Sequence, residues 1–205
     1  QIVMALDCGR VMSEPIDGAP RIDRAIHGAL ILAYAALRSG DRAGLFAFED
    51  RPRLSTGALS SVSGFPLLVR QAAAIDYGTG ETNYAFGLST LSASLKRRSL
   101  VVIFTEFADS TAAELMIETT GRLIKRHLVL FVVMRDEELE ALVTAPPDSP
   151  EDVARAVVAA TLLRERDLVL ARLRRLGAHI VEAPADRIGP DVLNVYLDLK
   201  RRDLL

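Results

Sequence analysis

The chain is predicted to fold as an α/β domain: a doubly wound, mostly parallel sheet with helices on both faces and a short antiparallel edge strand. Short apolar runs such as Leu100-Val101-Val102-Ile103-Phe104-Thr105 alternate with longer stretches of helical spacing. Strands separated by helices of that length pair in parallel through right-handed crossovers. The 205 residues, half of them apolar and a quarter charged, suit one globular domain with a substantial core. No internal repeat, low-complexity segment or long linker divides them, so a single domain over 1–205 is expected.

The elements follow in order. Residues 1–7 read as a strand ending in Asp7, and Arg10 to Arg21 as a polar loop carrying Pro15, Gly18 and Pro20. Asp23 is a good N-cap for a helix through Ile26, Leu30, Tyr34 and Leu37 that stops at Ser39-Gly40. Arg42 to Glu49 is a second strand. Pro52 makes the following run, Arg53 to Thr56, an edge hairpin, because proline cannot donate to a central ladder. Helices are predicted over 59–75 and 83–96. The apolar strand 99–106 suits a position buried on both faces. Helix 111–126, strand 127–134 and a short acidic helix from Asp136 to Leu142 come next. After Pro146-Pro147 a long helix runs over 150–176, capped by Ser149 and stopped by Gly177. Strand 178–183 and helix 189–201 complete the chain.

Composition narrows the function. A formal net charge of −2 directs the chain to neither nucleic acid nor an anionic membrane. One cysteine permits no intramolecular disulfide, which fits a reducing compartment. No apolar run approaches the roughly 20 residues needed to span a bilayer, and no cleavage site follows the first apolar stretch. The chain starts inside a strand without an initiator methionine, as expected for a piece of a longer protein.

Asp7 stands at the carboxyl end of the first strand, where open α/β sheets place their chemistry. Thr82 follows the turn signals Gly78-Thr79-Gly80, and Glu106 closes the third apolar run, so the three are expected to meet in one crevice. Nucleotide sites are excluded: neither G-x-G-x-x-G nor G-x-x-x-x-G-K-[ST] occurs, and Gly9 is followed by Arg10-Val11-Met12. A phosphohydrolase of the haloacid dehalogenase type would use Asp7 as nucleophile and could place Thr105 in its second motif. Position 9 is glycine, however, and no paired aspartates close a magnesium site. Magnesium held by oxygens remains open, since it takes one or two carboxylates with hydroxyls and water.

Other groups have plainer readings. Cys8 beside Asp7 is a small buried residue. His27, His127 and His179 lack ligand spacing. The run Arg164-Glu165-Arg166-Asp167, with Arg172, Arg174 and Arg175, reads as a charged solvent face whose basic end could dock an acidic partner. Lys200-Arg201-Arg202 suits the helix dipole. Met12 and Ile16 in the first loop would mark a partner contact if exposed and core if buried.

Four longer segments are more diagnostic: Ala35-Ala36-Leu37-Arg38-Ser39-Gly40-Asp41-Arg42-Ala43-Gly44-Leu45; Leu95-Lys96-Arg97-Arg98-Ser99-Leu100-Val101-Val102; Arg135-Asp136-Glu137-Glu138-Leu139-Glu140-Ala141-Leu142; and Asn194-Val195-Tyr196-Leu197-Asp198-Leu199-Lys200-Arg201-Arg202. With them the chain resembles a von Willebrand factor type A domain of the bacterial domain-of-unknown-function family numbered 58. The resemblance puts a metal-ion-dependent adhesion site at Asp7, Gly9, Val11, Thr82 and Glu106. Gly9 and Val11 stand where the pattern has serine ligands, and Glu106 where it has an aspartate. A degenerate site is therefore expected, with Mg2+ at most weakly held by Asp7, Thr82 and Glu106. Asp7 would then cap local backbone donors, and Glu106 would be solvated or ion-paired.

The resemblance further implies a non-catalytic protein–protein interaction module that works with a MoxR-type AAA+ ATPase in assembly or maturation of other proteins. It implies a membrane-anchored bacterial parent with this domain on the cytoplasmic side. The partner rim is expected at Arg10, Met12, Glu14, Asn83 and Asp109. A magnesium-dependent phosphohydrolase using Asp7, or a metal-dependent adhesion-type domain, are the alternatives.

Overall fold

The computed structural model describes residues 1–107 and 110–205, and of residues 110–112 the backbone alone. Its main sheet has six strands: β1 (Ile2–Asp7), β4 (Ala43–Phe48), β5 (Pro52–Ser55), β6 (Leu100–Phe104), β7 (Leu128–Met134) and β8 (His179–Ala183), in the spatial order β5-β4-β1-β6-β7-β8. Every neighbouring pair is parallel except the edge pair β4–β5. The order reverses at β1, the first strand, which lies between β4 and β6. That is the switch point at which open α/β sheets form a crevice beyond the strand ends, and Asp7 is the last residue of β1.

Period-two alternation divides the core. Ile2, Met4 and Leu6 of β1 join the layer under α2 (Arg21–Arg38), α3 (Phe65–Ala72) and α8 (Ile188–Arg201). Val3 and Ala5 join the opposite layer under α4 (Tyr84–Ser94), α5 (Ser110–Ile124) and α7 (Pro150–Leu176). All of β1, β4 and β6 is buried, as the unbroken apolar runs imply. Among the described residues no helix is long and apolar enough to cross a membrane.

The structure departs from expectation in three places. The Arg10-to-Arg21 segment is built rather than irregular: α1 (Arg10–Ser13) is followed by a tiny antiparallel pair, β2 (Pro15–Ile16) with β3 (Ala19–Pro20). Asp17 and Gly18, both with positive φ, make its tight turn. Helix α2 consequently begins at Arg21, with Pro20 at the cap position, and Asp23 lies in its first turn instead of capping it. The helix predicted over 59–75 is a single 3-10 turn (Val62–Gly64) leading into α3, because Ser61 caps the turn and Pro66 sets the first turn of α3. The short acidic helix is present as α6 (Glu137–Thr144), capped by Asp136. The long helix α7 has its predicted caps, Ser149 and a left-handed Gly177.

Two of the diagnostic segments act at a distance from the crevice. Tyr196 Oη donates to Asp41 at 2.7 Å and Lys200 Nζ reaches the same carboxylate at 2.6 Å. Segments 35–45 and 194–202 are thereby tied together at the end of the sheet remote from Asp7. In segment 135–142, Asp136 pairs with Arg21 at 2.7 Å.

Candidate functional site

Asp7 is 1% exposed, and both carboxylate oxygens are occupied. Oδ1 accepts from the Gly9 N–H at 2.9 Å and from Thr82 Oγ1 at 2.6 Å. Oδ2 accepts from Thr105 Oγ1 at 2.6 Å and from Tyr84 Oη at 3.0 Å. Tyr84 Oη also lies 3.0 Å from Thr105 Oγ1 and 3.2 Å from the Glu106 carbonyl, so its one proton is shared among three acceptors. Burial pushes the Asp7 carboxyl above its ordinary range, against the pull of Thr105, Thr82, Gly9 and Tyr84. Burial, reinforced by the Asp7 charge, also drives the Tyr84 phenol upward.

Gly9 decides which hydroxyl fills the site. A Cβ at position 9 would fall inside the van der Waals radius of Thr82 Oγ1 and press on Asp7 Oδ1. The missing side chain is the space through which Thr82 reaches the carboxylate. Val11, in α1, supplies no oxygen.

Glu106 is 8% exposed and turned to another partner. Its Oε1 accepts from the Phe107 N–H at 3.1 Å and meets Arg166 Nε at 3.2 Å. Arg166 also donates to the Met134 carbonyl at 2.9 Å and faces Glu182 at 3.6 Å. Burial raises the Glu106 carboxyl above its ordinary range; Arg166 and the Phe107 N–H oppose this without overcoming it. A cation here would have to displace donors from both Asp7 oxygens and Arg166 from Glu106. In this arrangement the carboxylate oxygens are engaged by protein donors rather than gathered as an open shell. Among the described residues no group of three His, Cys, Asp or Glu side chains could hold one.

The rim residues separate into two kinds. Arg10 and Glu14 are half-exposed and paired at 3.0 Å, and Arg10 also meets Glu81 at 3.1 Å. Asn83 is exposed and caps α4 by accepting from the Phe86 N–H at 3.0 Å. Met12, expected on the rim, is 1% exposed, and Ile16 is buried with it: α1 carries Met12 and β2 carries Ile16 into the core under α2. Asp109 lies outside the described residues.

Three participants escaped the sequence reading. Arg166 belongs to the core side of α7, not to a charged solvent face; its spacing from Ala159, Leu170 and Leu173 (seven back, four and seven on) carries that signal, since all three are buried. Tyr84 reads as a core aromatic until its hydroxyl is placed. Glu49, the residue after β4, is buried and accepts from the Gly80 N–H at 2.8 Å while pairing with Arg53. Burial works to raise its carboxyl, yet Gly80 and Arg53 hold it below the ordinary range. Glu49 thereby fastens the Gly78–Gly80 loop that presents Thr82. Gly78 has no room for a side chain between the Cys8 carbonyl and Glu49. Cys8 itself is buried, with its thiol pushed up to about 12 by burial and by Asp7, in keeping with a structural residue.

A family model described as "Protein of unknown function DUF58" matches residues 14–162, which contain three of the four diagnostic segments. A comparison with curated proteins finds no match. Among solved structures, the fold is similar to the VWA domain of SpRpn10, at 13% identity over 93% of this chain and 92% of that one, with a TM-score of 0.55. It is similar to an aerotolerance-related membrane protein from Bacteroides fragilis NCTC 9343, at 13% identity over 98% of each chain and a TM-score of 0.57. It is also similar to the conserved hypothetical protein BatB from Bacteroides thetaiotaomicron, at 11% identity over 96% of this chain and 98% of that one, with a TM-score of 0.51. At such identities the likeness establishes the fold, that of a vWA domain.

Proposed function

The chain belongs to the family described as protein of unknown function DUF58, and from that premise we propose that it is a non-catalytic protein–protein interaction module. The observation that carries this reading is a sealed carboxylate beneath an ionic rim: Asp7 has four hydrogen-bond donors and no solvent face, while Arg10, Glu14 and Glu81 above it are open to a partner. A nucleophilic carboxylate needs an approach for its substrate and a leaving-group acid nearby. Asp7 has neither. The eroded adhesion site works as a brace that holds three loops in register, and recognition falls to the charged side chains those loops carry.

The partner we propose is a MoxR-type AAA+ ATPase, as the family resemblance implies, with the domain on the cytoplasmic side of a membrane-anchored parent. The paired charges support it: an Arg10–Glu81–Glu14 cluster offers both signs to a complementary surface and can exchange its internal pairs for external ones at little cost. The test is capture of a purified MoxR-type ATPase from the same genome by the wild-type domain, by Arg10→Glu and by Glu81→Lys. Loss of capture with both variants is expected, and capture unchanged by both would move the interface off this rim. Calorimetry with magnesium and manganese accompanies it. Saturable binding abolished by Asp7→Ala would instead support the adhesion-type alternative, and phosphatase activity lost in Asp7→Asn the enzymatic one.

A further inference from the structure

Helix α7 has an unusual solvent side. Between residues 150 and 163 it carries only three charges, Glu151, Asp152 and Arg155, among valines, leucines and alanines. A helix that is apolar all round is ordinarily covered all round. Here none of its residues before Ala159 is buried, and α6 covers one side only. Val157 and Val158 are 60% and 59% exposed, with Val153, Leu142, Val143 and Leu162 also bare. Between the two helices lies a groove of about 330 Å³ lined by Leu139, Leu142, Ala154, Arg155, Val158 and Ala159. Contiguous apolar surface of this kind marks a binding face in a soluble domain.

The surrounding charge selects the occupant. Residues 136 to 163 hold seven carboxylates and one cation, in a chain whose net charge is only −2. Two of the seven are spent within the fold, Asp136 on Arg21 and Glu140 on Arg135. Glu137, Glu138, Asp148 and Glu151 are exposed and, among the described residues, enter no salt bridge. The excess of carboxylates on the segments that form the groove, with Arg155 the one charged residue lining it, disfavours an anionic bilayer and a second copy and favours a cationic partner.

We propose that the α6–α7 groove is a docking site for a basic amphipathic helix of another protein, its apolar residues at i, i+4 and i+7 in the groove and its lysines or arginines against the carboxylates of these segments. The site is separate from the Arg10 rim, although both rise from the same edge of the sheet, because α6 follows the carboxyl end of β7 and β7 runs parallel with β6 and β6 with β1.

The test uses an 18-residue helical peptide of leucine and lysine, with a glutamate-for-lysine counterpart as control, titrated against the folded domain by fluorescence anisotropy. Saturable binding of the lysine peptide alone is expected. It should weaken about tenfold or more in Val157→Asp/Val158→Asp, whose side chains are already exposed. It should also weaken in Glu137→Lys/Glu138→Lys, with circular dichroism unchanged in both. Arg10→Glu should leave it unaltered. No binding, equal binding of the glutamate peptide, or binding insensitive to both double variants would overturn the proposal. So would sedimentation with anionic vesicles, or dimerisation in the ultracentrifuge, if either is abolished by Val157→Asp/Val158→Asp: the face would then belong to a membrane or to a second copy.

Discussion

Arg166 Nε lies 3.2 Å from Glu106 Oε1, joining the middle of α7 to the end of β6 with both side chains about nine-tenths buried. A basic side chain thus sits against the carboxylate that the adhesion-site pattern would assign to a metal. Removing one partner of such a pair leaves a buried charge uncompensated. Arg166→Met is expected to destabilise the domain by about 3 kcal/mol, read by urea denaturation. Arg166→Met/Glu106→Gln should recover at least half of that loss. Equal loss in the single and double variants would mean that Arg166 acts through its Met134 contact, with Glu106 unimportant to it.

Asp7 should make stability depend on pH in the sense opposite to a surface ion pair. Its folded pKa lies above the unfolded value, so its contribution is full below about pH 3.9 and declines as pH rises through the raised value. Asp7→Asn removes that decline. Thr105 and Tyr84 can turn to accept from the amide while donating to the Glu106 carbonyl. At pH 7 the variant is expected to equal or exceed wild-type stability, with the gap closing toward pH 4. Asp7→Ala, which strands the Gly9 N–H and the Thr82 hydroxyl, should cost about 2 kcal/mol. Equal losses in the two variants would sink the account.

Restoring the motif hydroxyl at position 9 should harm the fold. Gly9→Ser forces Thr82 away from Asp7, and overpacking of this kind costs about 1–3 kcal/mol. Thr82→Ala in the same background removes the clash and should return most of the loss. Thermal melts of the single and double variants would show it; a Gly9→Ser protein as stable as wild type would contradict the geometry.

The Asp41–Lys200–Tyr196 cluster predicts the acid limb. Burial works to raise the Asp41 carboxyl, but hydrogen bonds from Lys200 and Tyr196 and the Lys200 charge outweigh it and hold the group below its ordinary range. Its contribution is therefore present above the unfolded value near pH 3.9 and is lost as pH falls through the folded one. Asp41→Asn should lower stability at pH 7 by about 1 kcal/mol, given the partly exposed Lys200. The difference should vanish near pH 2. A pH-independent difference would assign the effect to packing.

The sequence by itself determined the order of the six main-sheet strands and the longer helices, because apolar runs, helical spacing and caps such as Ser149 and Gly177 are local signals. It also pointed to Asp7 and Thr82, which the structure joins by a hydrogen bond at 2.6 Å, and to Glu106, whose side chain is instead paired with Arg166. It could not foresee that Pro20 rather than Asp23 stands at the start of α2, because that depends on α1 and β2 carrying Met12 and Ile16 inward. Nor could it assign partners among charges. Arg166 sits in a run of alternating signs, and only the packing of α7 into the core layer with α5 and the sheet turns it toward Glu106. Tertiary structure likewise decided that Gly9 is not merely a lost ligand. It is the gap through which Thr82 reaches Asp7, because hydrogen bonds between residues 75 apart in sequence depend on close packing in three dimensions.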